Sequence, residues 1–272
     1  MLKNDLSTQA VSKEHLAYLQ TRKKYRYRVT AAQIILLVGF IALWEAAAGL
    51  RWIDPFIMSQ PSRIVQTLHS LYAAGDLFTH VSITVAETVA GFTLGTLFGT
   101  FIAVALWWSD YLAEVLDPYL VVLNSLPKVA LGPVMIVWLG QGMRAIIAMA
   151  LLVSVIVTIL SVYSGFSQVD KNKITLLKTF GANKRQILQK VILPASIPTI
   201  ISALKINVGL SWVGVIVGEF LVSRAGLGYL IVYGGQVFRL DLVMASVIIL
   251  CAAAAIMYQA VVIFEKRFVK WK

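Results

Sequence analysis

The chain has 272 residues, 59% of them apolar and only 14% charged, with a mean hydropathy of +0.80 and a net charge of +11. A soluble domain carries roughly 25% charged residues, so an ordinary cytosolic enzyme, a disordered chain and a secreted disulfide scaffold are excluded. Cys251 is the single cysteine, so no intrachain disulfide is possible, and His15, His69 and His80 are too scattered in sequence to suggest a metal cluster.

In chain order, residues 1–29 form a basic segment with Lys3, Lys13, Arg22, Lys23, Lys24, Arg26 and Arg28. Leu16, Tyr18 and Leu19 beside this cluster suit an anionic lipid leaflet. Residues 30–272 read as one all-α transmembrane domain. A hydrocarbon core of about 30 Å needs roughly 20 helical residues, and six spans are expected, near 30–50, 82–108, 115–138, 145–167, 198–221 and 242–264. The long basic leader, and Glu45 where a small neutral cleavage region would begin, mark the first span as uncleaved.

The connection 51–81 holds Ser62, positioned to cap a short helix in which Ile64, Val65, Leu68 and Leu71 fall at helical spacing. In the second span, Gly91, Gly95 and Gly99 repeat every four residues and form one face for close helix packing. Gly214 and Gly218 do the same in the fifth. Lys128 follows Pro127 in the third span. An ionisable group at that depth faces protein or water, and the proline exposes backbone groups beside it. Lys128 is therefore a cation lining an anion pathway, a structural partner of Glu87 or Glu219, or a lysine reaching the interface. Trp138 and Trp212 are pathway candidates or packing residues. Glu219 either gates one mouth or pairs with Arg224 or Arg239, while Glu87 and Glu45 are expected to stay wet. Lys205 is expected to snorkel. Trp52, Trp107, Trp108 and Trp271 stand near expected interfaces as anchors.

Orientation follows from the asymmetry of Lys and Arg. With both ends inside, the inner segments hold seven basic residues in 1–29, six in 169–197 and four after Phe264, against five in the outer segments. Most of the net charge is this topological signal. Nucleic-acid binding would need a basic soluble face, and the chain offers none.

The inner connection 169–197 is the most informative stretch. Leu176, Leu177 and Phe180 form one apolar face, and Ile187, Leu188, Val191 and Ile192 another. Gly181 is placed to end a first short helix in a left-handed conformation, and Asn183 to cap a second. Pro194 and Pro198 are expected to break the chain before the fifth span. Such an element either lies on anionic lipid or docks its apolar face on a partner protein.

Gly181, nine intervening residues, Val191 and Leu193-Pro194 resemble the EAA loop of ATP-binding-cassette importer permeases, with Thr175-Leu176-Leu177 standing where Glu-Ala-Ala is usual and Val191 in place of Ile. The stretch from Asn124 through Pro127, Pro133 and Trp138 to Gly142 is similar to the nitrate/sulfonate/taurine/bicarbonate branch. So are Pro61-Ser62-Arg63, Gly218-Glu219-Phe220 and Gly226-Leu227-Gly228-Tyr229. The resemblance runs from about residue 30 to 272. It implies a permease subunit that forms the pathway for a small anionic solute. Its implied partners are a second copy of the permease, two cytoplasmic ATP-binding subunits, an extracytoplasmic solute-binding protein and membrane lipid. ATP and Mg²⁺ would be bound on the ATPase. The implied coupling residues are Thr175, Leu176, Leu177, Phe180, Gly181, Ala182, Val191, Leu193 and Pro194. Nitrate, an aliphatic sulfonate, taurine, bicarbonate and a thiamine-precursor pyrimidine are all admitted as solutes.

The chain has no Gly-x4-Gly-Lys-Ser/Thr phosphate loop, no nucleophile–His–acid arrangement and no metal-ligand spacing. It is not expected to hydrolyse ATP itself. A self-contained channel or ion-coupled carrier is the alternative, and would call for an intramembrane charge relay or internal repeats.

Overall fold

A computed structural model describes residues 13–268, so residues 1–12 and the expected anchor Trp271 lie outside the described residues. All regular structure in the described part is helical. Residues up to Arg63 and residues from Ile64 form two separate compact units.

The first unit holds α1 (Lys13–Gly49) and α2 (Pro55–Met58), and α3 (Pro61–Ala73) begins in it. The α1 stretch from Ile34 to Leu43 exposes Ile35, Leu36, Leu37 and Phe40, a surface suited to hydrocarbon rather than water. Asp54 caps α2 through the Phe56 N–H at 2.8 Å. α3 starts two residues earlier than expected, at Pro61, whose missing N–H costs nothing in a first turn. Ser62 is therefore not the cap. Its N–H donates to Glu45 Oε2 at 3.0 Å, so half-buried Glu45 is engaged with backbone.

In the second unit, three long helices form the centre: α4 (Asp76–Trp108), α7 (Met143–Ser167) and α10 (Leu193–Val222). α7 packs against both of the others, and the small residues explain how. A Cβ on Gly91 would fall 2.5 Å from Ala150 Cβ, one on Gly95 would strike Ser154 Oγ, and one on Gly99 would fall 2.5 Å from Thr158 Cβ. On the same stripe of α7, Gly214 meets the backbone of Ala150 and Gly218 that of Ile146. The four-residue glycine spacing thus matches a four-residue spacing on α7, and the helices approach at backbone distance. Ser154 and Thr158 satisfy their hydroxyls on the carbonyls of Ala150 and Ser154, both at 2.8 Å. Asn207 Nδ2 then donates to Thr158 Oγ1.

The third expected span departs from a straight helix. α5 (Asp110–Ser125) stops at Leu126, which is extended (φ −64°, ψ 137°), because a residue before proline is driven out of the helical region. After Pro127 a 3₁₀ turn (Lys128–Leu131) leads into α6 (Gly132–Leu139), and the two arms meet at 88°. The other five expected spans correspond to helices long and apolar enough to cross a bilayer.

The break expected at Pro194 and Pro198 is absent. α9 (Lys184–Ile187), a π turn (Leu188–Ile192) and α10 run as one 39-residue rod from Lys184 to Val222. The Leu193 N–H reaches back to Leu188 O, so the turn ahead of Pro194 is widened by one residue. Pro194 itself falls in the first turn of α10, where a missing N–H is tolerated. α11 (Leu227–Gln236) packs on α12 (Leu240–Phe268), with Leu227, Leu230 and Leu242 buried between them. Lys205 does not merely snorkel: its Nζ pairs with Glu265 Oε2 at 2.7 Å and ties α10 to α12.

Candidate functional site

Two places concentrate the unusual chemistry, at opposite ends of α4. The first is the loop between α7 and α10. Asp170 caps α8 (Lys171–Thr179) through the Asn172 N–H at 2.8 Å. The turn passes through Gly181 at φ +77°, a conformation that L side chains rarely adopt. Asn183 and Gln186 then form a reciprocal capping box at the start of α9.

This geometry divides the expected coupling residues into two sets. Leu177, Ala182, Val191 and Leu193 pack on a core of Phe166, Ile187, Leu188 and Ile192. Leu176 and Phe180 point away from it, at 57% and 80% exposure, with Thr175 and Gly181 exposed beside them. Pro194 is half-buried at the root of the rod. The loop is therefore fixed from beneath and presents an apolar tip. A further tie comes from Lys184, whose Nζ donates to Trp108 O at 2.7 Å and lies 5.7 Å from the Trp107 ring centroid. That places a cation on the last carbonyls of α4, where the helix dipole favours it.

The second place is a buried carboxyl pair. Glu87 on α4 and Glu219 on α10 are 2% and 1% exposed, so Glu87 is not wet. Neither Arg224 nor Arg239 is found on Glu219. Instead Glu219 Oε1 accepts from Thr84 Oγ1 at 2.6 Å, and Oε2 accepts from the Gly228 N–H at 2.5 Å. The Tyr229 N–H also donates to Glu219, and the Glu87 carboxyl lies beside it. Glu219 thereby caps the N-terminus of α11 from outside that helix. Gly226 and Gly228 make this possible, because a Cβ at either would lie within the volume of the Glu219 carboxyl group. His80 completes the arrangement. Its Nδ1 accepts from the Gly226 N–H at 2.9 Å, which leaves the ring proton on Nε2, and its ring stacks on Tyr229 at 6.0 Å. Thr84 Oγ1 also accepts from the Leu227 N–H at 2.8 Å.

A cavity of about 340 Å³ adjoins this pair, lined by Glu87, Gln141, Met143, Ile146, Val222 and Arg224. The remaining pathway candidates lie elsewhere. Lys128 is half-buried, with Nζ donating to Asn124 O at 2.9 Å across the α5–α6 bend, and it meets neither Glu87 nor Glu219. Trp138, on α6, is 73% exposed, whereas Trp212 is buried on α10 with Nε1 unpartnered. Sequence reasoning missed Thr84, His80 and the joint role of Gly226 and Gly228. The available signal was an acid in an otherwise apolar span followed seven and nine residues later by glycines.

The sequence matches the family described as binding-protein-dependent transport system inner membrane component over residues 95–270. A probable ABC transporter permease protein of Haemophilus influenzae is 31% identical over 236 residues, covering 86% of this chain and 96% of that one. The putative aliphatic sulfonates transport permease SsuC of Bacillus subtilis is 28% identical over 251 residues, covering 92% and 90%. The taurine transport system permease TauC of Escherichia coli is 24% identical over 259 residues, covering 92% and 94%. Among solved structures, a bacterial ABC transporter involved in the import of the acidic polysaccharide alginate shares the fold, with a TM-score of 0.64 at 14% identity over 93% of this chain and 100% of that one. The chain belongs to the binding-protein-dependent inner-membrane transport components, the multi-pass permease subunits of ATP-binding-cassette importers, which work with ATPase and solute-binding partners.

Proposed function

We propose that two copies of this chain form the pathway for a small sulfonate-type anion handed over by one extracytoplasmic binding protein. Two cytoplasmic ATPase subunits hold the ATP and Mg²⁺ and carry out the hydrolysis, and this chain performs none. Both termini and the α8–α9 loop face the cytoplasm, in line with the bias of basic residues toward those segments.

The observation that carries the reading is the division of the loop between α7 and α10. A tip that is apolar and exposed at Phe180 and Leu176, held to the bundle by Leu177, Val191 and Lys184, is built to transmit force from a docked partner. Thr175, Gly181 and Ala182 shape the tip, and Leu193 and Pro194 join it to the α10 rod. ATP-driven closure of the ATPases would move this tip, and the α10 rod would carry the displacement through the bundle. The solute then sees two states of different affinity. The bent α5–α6 pair, with Lys128 at its elbow and exposed Trp138 and Val137 on α6, is proposed to face the second copy and line the pathway. Trp212 is assigned to the interior of the bundle beside it.

The sulfonate class is supported by the relatives' named roles in aliphatic sulfonate and taurine transport and by Lys128, a cation available to an anion. The test is uptake of labelled taurine and short alkanesulfonates into proteoliposomes holding the full complex, its binding protein outside and ATP inside. Uptake dependent on ATP and the binding protein supports the reading. Binding-protein-dependent uptake of an uncharged pyrimidine in their place would overturn the substrate class.

A further inference from the structure

Glu87 and Glu219 lie 132 positions apart in sequence and meet inside the bundle, both almost fully buried, with Thr84, three residues before Glu87 on α4, hydrogen-bonded to Glu219. Two neighbouring buried carboxylates with no cation on either cannot both stay ionised, so one proton resides on the pair. The surroundings decide which residue carries it. Both Glu219 oxygens are occupied by donors: the Thr84 hydroxyl on Oε1, the Gly228 N–H on Oε2, and the Tyr229 N–H on the same carboxylate. Three donors, two of them at the first turn of α11, suit an anion. Glu87 receives no such support, and its Oε2 is buried without a partner. An anionic Glu87 would leave charge on an unpaired buried oxygen, whereas a neutral acid leaves only a weak acceptor.

We propose that Glu87 is held as a neutral carboxylic acid and donates its proton in a hydrogen bond to anionic Glu219, so that this proton positions α11 on α4 and α10. Glu219 is the anchor for α11, and Glu87 is a positioning residue that acts through it. The charged and titratable groups around the pair are few. His80 and Asp76 belong to α4, Tyr229 to α11, and Arg224 lines the adjoining cavity with Glu87. The α7 side contributes uncharged Met143 and Ile146. His80 already accepts from the Gly226 N–H through Nδ1, and no cation contacts either carboxyl among the described residues.

The assignment makes an asymmetric prediction. In Glu87→Gln the amide N–H₂ replaces the donor, so the anchor survives. In Glu219→Gln a single neutral acceptor oxygen must serve the N–H groups of α11 while the N–H₂ is left to the Thr84 side, so the negative charge that holds the donors is lost and the anchor weakens. Glu87→Gln should keep ATP-driven uptake within about twofold of the parent, while Glu219→Gln should lose about tenfold or more, the scale of one buried charge-assisted hydrogen bond. An infrared difference spectrum of the purified full complex, parent minus Glu87→Gln, reads the proton independently of transport. A protonated carboxylic acid C=O band at neutral pH, present in the parent and missing in Glu87→Gln, is the expected result. Absence of that band, or a Glu87→Gln variant as defective as Glu219→Gln, overturns the proposal. The spectrum does not depend on which solute is carried, so failure of the sulfonate reading would leave this proposal standing.

Discussion

Gly226 and Gly228 show what a single missing carbon atom permits. The Glu219 carboxylate occupies the space where their Cβ atoms would stand, and from there it reaches the backbone N–H groups that open α11. Gly226 also holds φ +115°. Ala at either position should lower stability by about 1–3 kcal/mol through overpacking, read as a fall in the melting temperature of the purified permease. Gly209, which has open space around it, is the control for added bulk. The tip residues invite a second comparison. Phe180→Asp adds a charge to an exposed position and should leave insertion and folding intact while removing the ATPase from the purified complex. Leu177→Asp buries a carboxylate against Phe166 and Ile187 and should lower the yield of folded protein as well. Quantifying the membrane-inserted permease and the ATPase retained with it separates the two effects.

At the scale of elements, α7 meets two neighbours at Ala150, through Gly91 of α4 and Gly214 of α10. Gly95→Leu forces a branched side chain against Ser154 and should cost about 1–3 kcal/mol or more, with earlier loss of the monodisperse peak on heating in detergent. Much at this scale was legible in the sequence. Uncharged runs mark α4, α7 and α12, since a bilayer span tolerates little else. The glycine spacing announced close packing, and Gly181 and Asn183 spelled out the loop through local cap and turn chemistry. What could not be read has one physical source. The elbow after Ser125 depends on how far Leu126 and Pro127 turn the chain, and a single proline allows either a kink or a right angle. Pro194 looked like a breaker because its remedy, the widened turn over Leu188–Ile192, leaves no mark on residue type. The meeting of Glu87 with Glu219, and of Thr84 with the α11 N-terminus, is tertiary. Each residue taken alone resembles a wet acid or a neutral threonine near a span end.

On the scale of the whole molecule, the structure joins two distant places through one continuous element. The rod from Lys184 to Val222 begins under the loop tip and ends three residues beyond Glu219, the carboxylate that anchors α11. We propose that a push on Phe180 would pass through the α8–α9 turn into this rod and along it to Glu219. This is a proposed route for coupling, and it places the docking surface and the α11 anchor under one mechanical control. The central claim is that the exposed tip at Leu176 and Phe180 is the seat of an ATPase. The most direct measurement is the subunit composition of the tagged chain purified in mild detergent from its own host, beside the Phe180→Asp variant. The account predicts a stoichiometric ATPase with the parent chain and its loss from an otherwise normally inserted variant. A homogeneous oligomer of the parent chain without any ATPase, or a variant that retains its ATPase in full, would contradict it.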